Sequence, residues 1–412
     1  MAFQTRQLRA LVRHAYDHVP YYRRLFDQAG LKPDQVRTLA DLATIPWSSR
    51  DDLQRLPAEE AVARGIHPRE LVVHRTSGSS GQPLSIRRTW FEDRLLQAYR
   101  LRVLCRLGLR VTDRRAAVVT RRLTGPSPWY MRLGFLPYEE VHCLWPPEQI
   151  LSRLRAIRPD VLRGYPGTLS WLAGLLLSAD RDSIRPRFIT TDSETLTSDM
   201  RARISEGFGA PVIDFYDSHE FNLIAWECSA GGRYHVSDLS LIAEVMKDGR
   251  PAEPGEEGEL VGTALHSWAM PFIRFRLGDQ VTRGEDRCAC GAPNSILARV
   301  EGRVADRFEL PDGRSVHPYT LVASLVMHAP WLRRYQIVQE QIDRIRVRLV
   351  PMPGETPAAD ALTGVRQILA ERLGRDIYVE IEVVDEIPAG PSGKFRPYYS
   401  LVSQQNTGRK DS

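Results

Sequence analysis

The chain has 412 residues, enough for two or three domains that each bury a core. Hydrophobic residues make up 42% and charged residues 26%, a balance that excludes disordered and fibrous classes. With 56 basic and 51 acidic residues the net charge is +5, and the arginines are scattered rather than gathered in a stripe, so no nucleic-acid partner is expected.

No apolar run has the length of a membrane span and the first residues lack a signal-peptide core, so a cytoplasmic location with no membrane partner is expected. Lysine occurs only at 32, 247, 394 and 410, which makes a lysine inside a motif informative in a chain that otherwise uses arginine. The 5 cysteines are an odd number, and metal binding or burial is preferred to a disulfide framework.

In chain order, residues 4–28 predict two helices divided at Pro20, and Ser48–Leu53 reads as a capped helix start. Leu71–Val73 and Leu84–Ile86 predict two strands around Thr76, Ser77, Gly78, Ser79, Ser80, Gly81, Gln82 and Pro83. Two glycines, hydroxyls and exposed N–H groups suit phosphate oxygens, although that stretch alone is equally an ordinary turn. It lacks the lysine of the common nucleotide-triphosphate loop.

A helix is predicted over 90–107 and a strand over 116–119, followed by an irregular aromatic segment at 121–138. Helices at 147–157, 168–179 and 198–208 then alternate with strands at 161–165, 188–191 and 212–216, the pattern of a largely parallel α/β sheet. Shorter strands after Tyr234, among them 259–264 and 272–276, predict a β-rich subdomain. A last module carries strands at 336–338, 345–350 and 377–383 around a helix at 359–373.

Several stretches now stand in a telling order. They are Thr76–Pro83, Thr191–Leu196 (TDSETL), Asp214–Glu220 (DFYDSHE), Arg274–Asp279 (RFRLGD), Glu301–Arg303 with Asp306, and Gly390–Lys394 (GPSGK). In that order the chain resembles the adenylate-forming enzymes, in their phenylacetate–CoA ligase branch with its capsule-biosynthesis relatives. The resemblance implies an α/β fold: a large N-terminal domain of layered mixed sheets with a β-rich subdomain (1–302), and a small mobile α+β C-terminal lid (303–412). It also implies ATP-dependent conversion of a carboxylic acid to an acyl-adenylate with release of pyrophosphate, then acyl transfer to coenzyme A.

Two anions must meet in such a reaction, so cationic groups and Mg2+ are needed where charge develops. The resemblance gives Lys394 the carboxylate and α-phosphate, Glu220 the magnesium, and His219 a phosphate-facing position. It gives Thr76–Gly81, Ser193, Glu194, Asp214, Tyr216, Asp279 and Arg303 to the nucleotide. Asp279 would take the ribose hydroxyls and Tyr216 the adenine ring. The chain departs from the family pattern at Asp217, where glycine is usual, at His219, where Ser or Thr is usual, and at Ala305, where an acid is usual. Ala305 leaves the thioester-forming step open to question.

An acyl pocket is expected from Tyr130, Phe135, Tyr165, Pro166 and Thr191, whose aromatic character suits an aryl or arylalkyl acid. Cys228, His235, Cys288 and Cys290 offer three thiolates and an imidazole, the donor set of a structural Zn2+ site, with free buried cysteines as the alternative. The partners expected are a small carboxylic acid and a thiol or amine acceptor, and a homodimer is held open. An amide-forming ligase of secondary metabolism and a non-catalytic adenylate-binding protein stand as alternative functions.

Overall fold

The computed structural model describes residues 2–75, 84–119, 129–179, 183–303, 308–312, 314–316, 318, 321, 329, 331–352, 354–374, 376–388 and 395–402. The chain divides into two compact units, one of residues 1–109 with 215–301 and one of residues 110–214 with 302–412.

In the first unit the helices Ala2–His18 and Pro20–Gln28 form as expected. Leu8, Leu11, Val12 and Ala15 are buried along one stripe of the first helix. Pro20 opens the second, where its missing N–H would be unpartnered anyway. Ser49 and Asp52 make a reciprocal cap for the short helix Arg50–Gln54, and Thr89 and Glu92 do the same for Trp90–Arg106. Glu92 also accepts the N–H groups of Trp268 (2.5 Å) and Ala269 (2.8 Å), tying that helix to a distant loop. Val72–Arg75 and Ser85–Arg88 pair antiparallel, as the sequence predicts.

The sheet of this unit runs Arg250–Pro251, Leu241–Lys247, Glu257–Ala264, Phe275–Arg283, Ile296–Arg303, Tyr234–Val236, Asn222–Glu227, and then the later part of Val212–Ser218. The strand expected at 272–276 begins only at Phe275. Arg274 has φ +44°, a left-handed conformation that ends strand geometry.

In the second unit a parallel sheet runs Val212–Asp214, Phe188–Thr191, Val161–Gly164, Arg115–Val119, Tyr138–His142. Phe188–Thr191 is buried at every position, as a strand covered on both faces must be. Pro147–Ile157, Pro166–Ala179 and Ser198–Phe208 are the helices between these strands.

The C-terminal module has its own sheet, ordered Tyr378–Val383, Arg344–Pro351, Leu332–Gln341, Tyr398–Ser400, and the helix Ala359–Leu373. Ile345, Val347 and Leu349 alternate inward. Arg344, Arg346 and Arg348 face the other way and pair with Glu340, Glu380 and Glu382. Within this unit Val350, Ile387 and Phe395 pack into the same core as the parallel strands. Among the described residues no helix is long and apolar enough to cross a membrane.

Candidate active site

The carboxyl ends of the parallel strands carry the motif residues of the second unit. The first connection leads outward to Tyr138–His142 and later ones lead the opposite way, so the order reverses at Arg115–Val119. Open α/β sheets bind ligands at such a reversal, outside the strand ends. Thr191 and Gly164 are register partners at that edge, and Tyr165, Pro166 and Gly167 follow directly. The Thr191 hydroxyl donates to Asp214 at 2.7 Å, joining two expected site residues.

Asp192 is fully buried and accepts from Arg163 twice, at 2.6 and 3.1 Å. This bidentate pair locks the turn that follows the strand. Ser193 has φ +68°, and its hydroxyl donates to Asp192 at 3.2 Å. Glu194, expected at the nucleotide, accepts the backbone N–H groups of Gly167 (2.8 Å) and Phe395 (2.5 Å).

Of the expected acyl-pocket residues, Tyr165 and Thr191 are buried. Tyr130 lies in the short helix Trp129–Arg132, and its carbonyl accepts the N–H of Phe135 at 2.9 Å. The Phe135 side chain is 48% exposed, so it does not join Tyr165 in the core.

In the first unit Tyr216 and Asp279 meet directly. The Tyr216 hydroxyl donates to Asp279 Oδ2 at 2.6 Å, and both residues are buried. Gly278 has φ +81° where the pairing with Glu257–Ala264 shifts register. A bulge glycine therefore re-aims the strand at the residue before Asp279. The ring of Tyr216 packs in the large apolar core of this unit.

The two arginines flanking Phe275, which supported the motif reading, are committed elsewhere. Arg274 donates to both oxygens of Glu244 and to the carbonyls of Ala43 and Ile45. Arg276 pairs with Glu259 at 2.6 Å.

Glu220 is 1% exposed and its Oε1 accepts from Arg50 at 2.9 Å. Arg88, itself buried, donates to the carbonyls of His219 and Glu220, and burial pushes its pKa down. A hard carboxylate oxygen suits Mg2+, and with Oε1 on Arg50 the oxygen left for a metal is Oε2. The His219 ring lies 6.2 Å from that of His74, which bonds Asp93 at 2.8 Å.

The departure at Asp217 has a physical account. Its carboxylate accepts from Arg100 at 2.8 Å, and that guanidinium also lies over the Phe215 ring. Glycine there would leave Arg100 without this charge.

Thr76, Ser77, Gly78, Ser79, Ser80 and Gly81, Lys394, and the departure at Ala305 lie outside the described residues, as does the Arg303 side chain.

The Cys/His set converges. Cys228 follows the strand Asn222–Glu227, His235 sits in Tyr234–Val236, and Cys288 and Cys290 occupy the connection between Phe275–Arg283 and Ile296–Arg303. The ligand atoms of these residues all lie within 4.8 Å of one another. Cys228 and Cys288 sulfurs are 3.8 Å apart, and Cys290 Sγ is 3.3 Å from His235 Nε2. Tetrahedral zinc with Zn–S bonds of about 2.3 Å requires sulfurs about 3.8 Å apart, so the set fits that ion. Burial pushes the Cys228 thiol up to about 11, the expected state of a thiol before metal displaces its proton. The strand that ends just before Cys228 and the strand of His235 are antiparallel neighbours, and the register places His235 opposite Trp226.

Sequence reasoning missed the arginines that hold these groups: Arg50, Arg88, Arg100 and Arg163. Arginine is common throughout this chain, and the partners lie far off in sequence, so no local signal marks them.

Residues 308–399 match the CapK C-terminal domain family. The phenylacetate-coenzyme A ligase of Thermus thermophilus is 26% identical over 359 residues, covering 82% of this chain and 77% of that protein. The enzyme of the same name from Aromatoleum evansii is 29% identical over 365 residues, covering 83% and 78%. A crystal structure of 2-hydroxyisobutyryl-CoA ligase in the postadenylation state superposes with TM-score 0.80 at 20% identity, covering 99% of this chain and 91% of that one. The chain has the fold of the adenylate-forming ligases and resembles their phenylacetate–CoA ligase branch over most of its length, as the sequence motifs imply.

Proposed function

We propose that the protein uses ATP to convert a carboxylic acid to an acyl-adenylate with release of pyrophosphate, and then transfers the acyl group to coenzyme A. The observation that carries this reading is the likeness, over more than four-fifths of the chain, to two proteins both named phenylacetate-coenzyme A ligase.

The chemistry distributes as follows. The substrate carboxylate attacks the α-phosphorus, the bond from that phosphorus to the bridging oxygen breaks, and pyrophosphate leaves. Lys394 neutralises charge between the two anions, and the loop 76–83 holds the β- and γ-phosphates. Asp279, fixed by Tyr216, receives the ribose hydroxyls through a carboxylate that needs no reorganisation. Glu220, held by Arg50, is the magnesium ligand. The acid lies at the strand ends near Tyr165 and Thr191, an aromatic and hydroxyl lining that favours an aryl or arylalkyl acid. The coenzyme A thiolate then attacks the acyl carbon and AMP departs.

Cys228, His235, Cys288 and Cys290 hold a structural zinc ion that closes the β-hairpins. Three thiolates and an imidazole fill its coordination and leave no open position for catalysis. The domain boundary stays at 302/303, with the C-terminal module carrying the lysine.

The test is pyrophosphate release from ATP with panels of aryl, arylalkyl and short aliphatic acids, each with no acceptor, with coenzyme A, and with amines. Acid-dependent release and thioester formation are expected. An amide product would move the assignment to an amine ligase, and silence with all acids while AMP still binds would leave an adenylate-binding protein. Lys394→Ala should reduce adenylation on the order of 10²- to 10³-fold with an unchanged melting temperature; unaltered turnover would remove the lysine from the site.

A further inference from the structure

Glu194 occupies the turn after Phe188–Thr191, and two separate chain segments converge on its carboxylate. Oε2 accepts the Gly167 N–H at 2.8 Å and Oε1 the Phe395 N–H at 2.5 Å. Phe395 is 2% exposed and packs into the core of the parallel strands. The Arg334 guanidinium lies 3.9 Å from the centre of its ring, and burial pushes that arginine down to about 10. A Cβ on Gly167 would meet Phe395 Cβ at 2.8 Å and Glu194 Oε2 at 3.0 Å. Only glycine at 167 lets Phe395 seat against this turn. Arg203 adds a second anchor, donating to the carbonyls of Leu332 (3.2 Å) and Arg333.

The N–H that Glu194 accepts belongs to the peptide bond between Lys394 and Phe395. An ionised carboxylate accepting backbone N–H groups from two segments makes charge-assisted bonds to both, and so fixes one against the other. We propose that Glu194, with the bare backbone of Gly167 beside it, is a positioning residue that holds the backbone N–H of Phe395, and that acid activation depends on this hold because Phe395 directly follows Lys394 in the chain. This rests on the role given to Lys394 above. The bracket serves acid activation, the step given to the lysine above; acyl transfer from a preformed adenylate to a thiol, a step given no lysine above, is expected to proceed without it.

The experiment compares wild type with Glu194→Ala, Glu194→Gln and Gly167→Ala in the full chain. The alanine at 194 removes both acceptors, glutamine keeps one acceptor oxygen, and the alanine at 167 keeps the carboxylate but crowds both Phe395 Cβ and Glu194 Oε2. Hydrogen exchange of the peptide covering 395–400 should speed up about tenfold in Glu194→Ala and Gly167→Ala and less in Glu194→Gln, as loss of about 1.4 kcal/mol of protection requires. Exchange of strand 188–191 should not change. With phenylacetate as the probe acid, pyrophosphate release should fall about tenfold or more, while coenzyme A-dependent consumption of synthetic phenylacetyl-adenylate stays within about twofold. Unchanged exchange at 395–400, or equal loss of both half-reactions, overturns the proposal. Should the wild type release no pyrophosphate with any acid, the activity reading fails, and the exchange comparison still decides whether the bracket exists.

Discussion

The Cys/His cluster and the carboxyl edge of the parallel sheet hold their groups by opposite means. The cluster takes His235 from a strand, Cys228 from the end of its antiparallel neighbour, and Cys288 and Cys290 from the connection between two more strands. Its donors are soft and need one small ion to complete them. The parallel edge uses hard oxygens: the carboxylates of Asp192, Glu194 and Asp214 and the hydroxyls of Thr191 and Ser193. These are fixed by an arginine, by each other and by backbone N–H groups from remote segments. The cluster's donors converge without bonds from other side chains being needed to aim them, whereas the edge's groups are aligned by bonds that need no ligand, as preorganised polar groups are.

Removing a donor from the cluster should give the largest effect and break the comparison most cleanly. Cys288→Ser should lose stoichiometric zinc and about 3–5 kcal/mol of stability, because metal binding contributes folding free energy that is then lost. Metal analysis of the purified protein checks this, and wild-type protein free of zinc would end the metal assignment. Trp226 lies 5.7 Å from the His235 ring, so chelation should also alter tryptophan fluorescence.

At the parallel edge, Asp192→Ala should cost about 2–4 kcal/mol by stranding Arg163 beside a buried turn, with chemical denaturation as the measurement. It should not change metal content, which separates the two regions. A smaller effect is expected from Tyr216→Phe. Loss of its bond to Asp279 should cost about 1 kcal/mol of stability and weaken ATP binding severalfold, read by calorimetry. An unaltered ATP affinity would place Asp279 away from the ribose.

Much of the architecture was legible because its causes are local. The helices 147–157, 198–208 and 359–373 and the strand 188–191 have the predicted bounds, since apolar periodicity, caps and Gly or Pro punctuation act within a few residues. The strand placed at 272–276 failed for a tertiary reason. Arg274 turns out of strand geometry where it reaches Glu244 and the carbonyls of Ala43 and Ile45, and no local pattern announces those partners. The strand Tyr138–His142 has no counterpart in the sequence reading, whose irregular segment ends at 138, because Val141 is its only buried residue and no alternating apolar pattern marks it.

The sequence by itself determined which reactive residue types stand in the chain and in what order: the hydroxyl-rich loop, the acidic motifs, the lone motif lysine and the Cys/His set. Residue type decides which reactions a group can support, and that information is present in one dimension. Only the tertiary structure decided what each group is bonded to. It set Tyr216 on Asp279, Arg50 on Glu220, Arg100 on the unusual Asp217, and Glu194 on the N–H groups of Gly167 and Phe395. The physical reason is that a carboxylate's role depends on which donors lie within about 3 Å of it. Chain folding brings such donors from 27 to 201 residues away.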